Sequence, residues 1–131
     1  MIALNVTSYR FLASDVRVAR SLFDRFRGLI GSRPLEHGEG LLIPHCKGVH
    51  TIGMRYSIDV IYLDREGKAI AFEKELAPNS IGHVYWQANA ALELPSGIID
   101  ETRTKLGDNV LLGNDNQPLE PVMPHFVFGW L

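Results

Sequence analysis

The chain of 131 residues has only one cysteine. An intrachain disulfide is therefore excluded, and cysteine usage gives no sign of an oxidising compartment. No uninterrupted apolar run approaches the roughly 20 residues that span a bilayer. The first seven residues also lack the basic segment and long apolar run of a signal peptide. These absences predict a soluble, cytoplasmic protein with no membrane partner.

Basic residues are not in excess either. Lysine and arginine number 13 against 15 aspartates and glutamates, which gives a net charge of −2. A surface that holds phosphate backbones normally has a clustered basic excess, so we expect no nucleic-acid partner. The length, the 46% hydrophobic content and the lack of a repeat or long linker predict one domain over residues 1–131.

Helical periodicity is confined to one stretch near the N-terminus. Ser14 suits an N-cap, Asp15 suits the first turn of a helix, and Gly28 or Gly31 suits its end. Five apolar residues between them recur at helical spacing: Ala19, Leu22, Phe23, Phe26 and Ile30. The pattern predicts one amphipathic helix.

Short apolar runs bounded by turn residues predict strands for most of the remaining chain. The predicted strands cover residues 2–10, 40–44, 58–64, 68–77, 88–94, 110–112 and 126–131, with a brief helical turn within 97–105. The turn-rich residues 64–67 predict a hairpin between the third and fourth of these strands. The expected fold class is α+β, a mostly antiparallel sheet curved into a barrel-like core with one N-terminal amphipathic helix.

Two carboxylates stand among apolar neighbours. In the strand of residues 58–63 both faces are apolar, which predicts a central strand covered on both sides, and Asp59 lies within it. Glu93 lies between Leu92 and Leu94. A buried ionised carboxylate is very costly unless it is paired or hydrogen-bonded. Each acid either anchors a loop, points into solvent at a strand end, or orients His50 or a ligand in a pocket. The candidate partners of the two carboxylates are backbone amides and the side chains of His50, Thr51, Arg55 and Arg27.

The segment 45–59 concentrates reactive side chains. As a nucleophile–base pair, Cys46 would attack an electrophilic carbon, with His50 as base and Asp59 orienting the imidazole. As a metal site, His45 would join these three, although the spacing matches no strong zinc pattern. As a structural element, Cys46 would be a small buried side chain and His50 a histidine satisfied by a neighbour.

A fourth interpretation is a pocket formed by the 46–59 loop and strand that binds a small polar ligand or peptide. The residues assigned to it are His50, Thr51, Met54, Arg55, Asp59 and Glu93. The alternatives are a Cys46-dependent hydrolase or transferase and a non-catalytic adaptor that docks through a sheet edge or the apolar C-terminus. Whether the chain is an enzyme is left open, and no pattern calls for a cofactor or a metal.

Several short motifs occur in the order of a known family, and the chain resembles the prokaryotic family catalogued as domain of unknown function 192 over residues 14–112. The motifs are residues 27–31, 40–42, 50–55, 58–64, 91–97 and 107–108. The resemblance is to the branch with Cys46 upstream of His50-Thr51, Met54-Arg55 and Ile58-Asp59. It implies a compact, mostly antiparallel sheet with barrel-like curvature and a helix, and no established activity. In the other common branch a longer segment contains a tryptophan where this chain has Gly53.

Overall fold

The computed structural model describes residues 1–21, 24 and 28–114. In its continuously described segments the chain forms eight strands and one short helix, and Asp24 is also helical. The elements are β1 (Ile2–Asn5), β2 (Arg10–Ala13), β3 (Asp15–Val18), β4 (Glu39–Pro44), β5 (Ile58–Leu63), β6 (Ala69–Leu76), β7 (Ala90–Pro95), α1 (Ile98–Glu101) and β8 (Val110–Gly113).

The strands form two sheets. The larger has the order β3-β4-β7-β5-β6 and the smaller has the order β2-β1-β8. Every pairing is antiparallel except that of β3 with β4, which is parallel. Backbone hydrogen bonds join the sheets: the Val16 amide donates to the Met1 carbonyl, and the Val110 amide donates to the Gly67 carbonyl.

The predicted helix starting at Ser14 is wrong, because Asp15–Val18 form strand β3. Val16 and Val18 alternate with the exposed Asp15 and Arg17, which is the period of a strand, and both valines are β-branched. Pairing with Glu39–Leu42 fixes the extended conformation. Residues 22, 23 and 25–27 of the predicted helix lie outside the described residues.

The predicted barrel is also wrong, and with it the α+β class, because both sheets are open and the described residues form mostly β structure with one short helix. The larger sheet ends at β3 and β6. On β6, Lys74 and Glu75 are exposed, and Glu75 has a φ of 49°. Charged side chains and an irregular backbone are common at sheet edges, where they oppose further pairing.

The predicted β5–β6 hairpin is confirmed. Its turn is fixed by Asp64, whose Oδ1 accepts the backbone N–H groups of Glu66 and Lys68, each at 2.9 Å. The helical turn expected within 97–105 is confirmed as α1. The strand predicted for residues 126–131 lies outside the described part of the chain.

All six residues of β5 are buried, so the prediction of a central strand is confirmed. The larger sheet therefore has an apolar layer on each face. One layer, with α1, contains among others Leu42, Ile61, Leu63, Leu92 and Ile99; the other contains Leu29, Leu41, Ile43, Val60 and Tyr62. Because Asp59 and Val60 are consecutive, and Glu93 pairs with Val60, the two acids lie on opposite faces.

Candidate functional site

Asp59 is an internal anchor. Its side chain is 1% exposed, its Oδ1 accepts the Glu75 N–H at 2.9 Å, and its Oδ2 accepts the Ile99 N–H at 2.9 Å. Ile99 lies in the first turn of α1, where backbone amides have no partner inside the helix, and the Gly97 N-cap makes no side-chain hydrogen bond. Asp59 therefore ties α1 and the irregular end of β6 to the centre of the sheet.

Glu93 belongs to a row of side chains that crosses the other face. Arg17 pairs with Leu41, Leu41 with Glu93, Glu93 with Val60, and Val60 with Glu73. Directly opposed residues in a sheet project to the same side. The sheet thus presents one cation and two carboxylates on a single line, with an aliphatic side chain between each pair.

The carboxyl of Glu93 is buried and poorly satisfied. The residue is 2% exposed, and among the described residues its Oε2 has no hydrogen-bond partner. Burial raises the pKa of Glu93 to about 8, and the charge of Arg17 opposes this rise. At neutral pH the group is therefore mainly a neutral acid, which can donate a hydrogen bond.

Tyr56 and Gly28 surround the same carboxyl. Burial raises the pKa of the Tyr56 phenol, and the negative charge of Glu93 adds to that rise. The Tyr56 hydroxyl is buried with no hydrogen-bond partner in the described part of the chain. Gly28 has a φ of 54°, and a Cβ at this position would lie 3.8 Å from Oε1 of Glu93. Two buried polar groups without a hydrogen-bond partner in the described residues are thus close enough for the charge of Glu93 to act on the Tyr56 phenol.

A cleft of about 550 Å³ opens beside β3. Its walls come from β3, the start of β4 and the connection between them: Asp15, Arg17, Leu29, Ser32, Arg33, Leu35, Glu39 and Gly40. A smaller hollow of about 30 Å³ shares Arg17 with the cleft and includes Gly28 and Leu41, the neighbours of Glu93. Arg17 therefore links the open cleft to the buried acid.

The two arginines of the cleft differ. Arg33 makes a bidentate ion pair with Glu39 at 2.7 and 2.8 Å, and that contact lowers the pKa of Glu39 to about 2. Arg17 is exposed and makes no ion pair with any described residue. Its charge acts on Glu39, Tyr56 and Glu93 without direct contact. Of the two arginines in the cleft, Arg17 is therefore the one whose guanidinium is not paired with a carboxylate of the described residues.

Thr51 and Met54 have packing roles. Thr51 is fully buried; its Oγ1 donates to the Ala77 carbonyl at 2.5 Å and accepts the Ser80 N–H at 2.9 Å. Met54 is 4% exposed within the apolar layer of Tyr62. Met54 therefore lies in the layer on the Glu93 face of the sheet, and Thr51 joins its own loop to residues 77–80.

The remaining predicted site residues lie in the same loops. His50 pairs with Ile81 in an isolated bridge, the Cys46 thiol donates to the Gly48 carbonyl at 3.1 Å, and Arg55 is exposed. In the described part no group of three or more His, Cys, Asp or Glu side chains is placed to hold a metal ion. The structure does not bring Asp59 together with Glu93, and the catalytic roles of Cys46, His50 and Asp59 stay predictions.

Glu73, Tyr56 and Arg17 were not found from sequence. Glu73 is 8% exposed and accepts the His83 N–H at 2.6 Å, while the Tyr62 and Tyr85 hydroxyls lie 3.4 and 3.3 Å from its carboxylate. In the structure Glu73 lies opposite the buried Val60, but an irregularity between Tyr62 and Leu63 shifts the register, so the hairpin pattern alone did not indicate this pairing.

The family model of domain of unknown function 192, described as an uncharacterised ACR, matches residues 4–112. The chain belongs to this family. A UPF0127 protein of Thermococcus sibiricus is 27% identical over 111 residues, which cover 82% of this chain and 71% of that protein. The crystal structure of a protein of unknown function from Novosphingobium aromaticivorans matches with a TM-score of 0.74 at 19% identity, covering 85% of this chain and 83% of that one. The latter likeness establishes the fold alone.

No helix in the described residues is long and apolar enough to cross a membrane.

Proposed function

We propose that this domain binds a small organic carboxylate in the cleft beside β3, with Arg17 as its anchor. The observation that carries the proposal is an exposed guanidinium without an ion-pair partner among the described residues, in the wall of a cleft of about 550 Å³. Ligand sites commonly have volumes of roughly 300–1,000 Å³ and a few polar groups that fix orientation. The proposal keeps Glu93 from the predicted set and adds Arg17 and Tyr56.

The charge pattern of the cleft favours an anionic group at Arg17 over one at Arg33. Arg33 already has both of its terminal nitrogens on the Glu39 carboxylate. Arg17 has the planar donor geometry that holds a carboxylate through two parallel hydrogen bonds. A ligand carboxylate at Arg17 would therefore add an interaction without breaking one.

The apolar walls favour a ligand with a carbon skeleton. Leu29 is 2% exposed, and Leu35 is half-buried at the cleft wall. Apolar contact with these side chains would distinguish a short organic acid from an inorganic anion. The segment 46–59, in which the pocket was expected, reaches this region through Tyr56, whose phenol lies in the field of both Arg17 and Arg33.

The test uses acetate, succinate, 4-methylvalerate and inorganic phosphate as probes. We expect 4-methylvalerate to shift the amide resonances of Arg17, Leu35 and Gly40 in a two-dimensional ¹H–¹⁵N spectrum of the whole chain. The organic acids should raise the melting temperature more than phosphate at equal ionic strength.

Two variants decide whether Arg17 carries the effect. Arg17→Gln should abolish both responses, whereas Arg10→Gln, which removes an exposed arginine of β2, should leave them intact. The proposal is overturned if none of the four probes alters the spectrum of the wild type, or if Arg10→Gln loses as much as Arg17→Gln.

A further inference from the structure

A second surface lies on two loops, residues 45–57 and 77–88, which we name the paired loops. Backbone bonds join them along their length: the Tyr85 amide donates to the Lys47 carbonyl, the Gly82 amide to Val49, and the Thr51 amide to Ser80. The paired loops are therefore held to each other by backbone bonds at several points.

The paired loops carry exposed apolar side chains. Ile81 and Trp86 are 78% and 77% exposed, and Ile52 and Val84 are 51% and 55% exposed. At these values more than half of each side chain is open to solvent. Four large apolar side chains on two bonded loops exceed the scattered single residues that a soluble surface normally has.

The charges of the paired loops have one sign. Lys47 and Arg55 are their charged residues at neutral pH, and neither loop contains an aspartate or a glutamate, although the whole chain has a net charge of −2. The Lys47 ammonium donates to the carbonyls of Trp86 and Ala88 at 2.7 and 2.9 Å and makes no ion pair with the described residues. Glu73, an acid of β6 that contacts these loops from their inner side, is 8% exposed and accepts the His83 N–H. Arg55 is exposed and makes no ion pair with the described residues.

We propose that the paired loops dock the domain on the surface of an anionic lipid bilayer, with Trp86 and Ile81 entering the headgroup region. An indole next to cations is typical of interfacial membrane contacts, because the ring suits the boundary between acyl chains and water and the cations suit anionic headgroups. Projecting side chains can enter a lipid interface directly, whereas a folded protein partner would need pockets shaped to receive them. This peripheral contact needs no membrane-spanning helix.

The experiment is co-sedimentation of the whole chain with large vesicles, of phosphatidylcholine alone or with about 30% phosphatidylglycerol. We expect binding to the anionic vesicles only, weakened by ~0.5 M NaCl because salt screens the cations. Trp86→Ala and Ile81→Ser should each reduce the apparent affinity about tenfold, and Arg55→Gln should reduce it less. Because these side chains are exposed, the melting temperatures should stay at the wild-type value.

Two controls test the location. Phe11→Ser removes an apolar side chain that is 60% exposed on β2, and Trp130→Ala removes the other tryptophan of the chain. Both should bind vesicles like the wild type. The proposal is overturned if the wild type binds neither vesicle, if Trp86→Ala binds as well as the wild type, or if Trp130→Ala abolishes binding. Retention by a protein partner through Trp86 without vesicle binding would likewise overturn it.

Discussion

Asp59 and Glu93 lie at neighbouring positions of adjacent strands, but the two faces of the sheet offer their carboxyl groups different numbers of hydrogen-bond donors. On the α1 face, Asp59 accepts two backbone N–H groups at 2.9 Å. On the cleft face, Glu93 is equally buried, but its Oε2 has no hydrogen-bond partner among the described residues. Burial alone therefore does not reveal the role of a carboxylate, whereas the supply of donors does.

This difference in hydrogen-bond donors indicates a structural role for Asp59 and makes Glu93 the candidate functional residue. Both oxygens of the Asp59 carboxylate accept backbone N–H groups of β6 and α1, so the proposed site does not include Asp59. Glu93 is held near Tyr56 and within the field of Arg17, and its protonation responds to that field. Unsatisfied buried groups are more common at functional sites than in purely structural cores.

The largest expected effect is that of Asp59→Ala. The substitution leaves the N–H groups of Glu75 and Ile99 without their acceptor, the second of them buried, so we expect the free energy of unfolding to fall by roughly 3 kcal/mol. Urea denaturation followed by circular dichroism measures it. Asp100→Ala, at an exposed ion pair with Lys74, should change it by less than about 0.5 kcal/mol. Equal losses in the two variants would show that Asp59 is not an anchor.

The next effect is on the pH dependence of stability. The pKa of Glu93 is about 8 in the folded state against an ordinary value of 4.5, so the folded state binds the proton more tightly. The stabilisation from this group is complete below about pH 4.5 and is lost as pH rises through 8. We expect the wild-type free energy of unfolding to fall by about 1 kcal/mol or more for each pH unit between 5 and 8 relative to Glu93→Gln.

Denaturant unfolding at several pH values makes this comparison, with Glu66→Gln as a control in the exposed β5–β6 turn. The control should keep the wild-type slope. If Glu93→Gln keeps it as well, the buried carboxyl is not held in its neutral form by the fold.

The smallest effect is expected for Tyr56→Phe. The hydroxyl is buried without a hydrogen-bond partner in the described part, so its removal should leave the free energy of unfolding unchanged or raise it by less than about 1 kcal/mol. Tyr62→Phe is the matched change, because the Tyr62 hydroxyl lies 3.4 Å from the Glu73 carboxylate and its loss should destabilise. Thermal unfolding of both variants tests the difference; a clear loss for Tyr56→Phe would indicate a partner for its hydroxyl.

The sequence predicted much of the local structure, since strong period-two patterns and turn residues act over short distances. The β5–β6 hairpin, its Asp64 turn and the burial of β5 on both faces follow from such patterns. The helix prediction failed at Asp15–Val18 because four residues with two valines also fit a strand, and pairing with β4 decided between the two.

The site was less predictable because its geometry depends on contacts that are distant in sequence. The sequence predicted that Asp59 and Glu93 lie among aliphatic residues. It did not predict the donors to Asp59, which are 16 and 40 residues away in the chain. Arg17 lies in one row with Glu93 only through the pairing of β3 with β4 and of β4 with β7. No spacing rule within a single segment could have joined these residues.

The parallel pairing of β3 with β4 has a consequence for how this domain diversifies. Parallel neighbours cannot be joined by a tight turn, so residues 19–38 must carry the chain back past the sheet. That excursion supplies Leu29, Ser32, Arg33 and Leu35 to the cleft, and its described residues belong to none of the strands. Substitutions, insertions or deletions in this excursion would therefore change the wall of the cleft while the strand pairing of both sheets is kept.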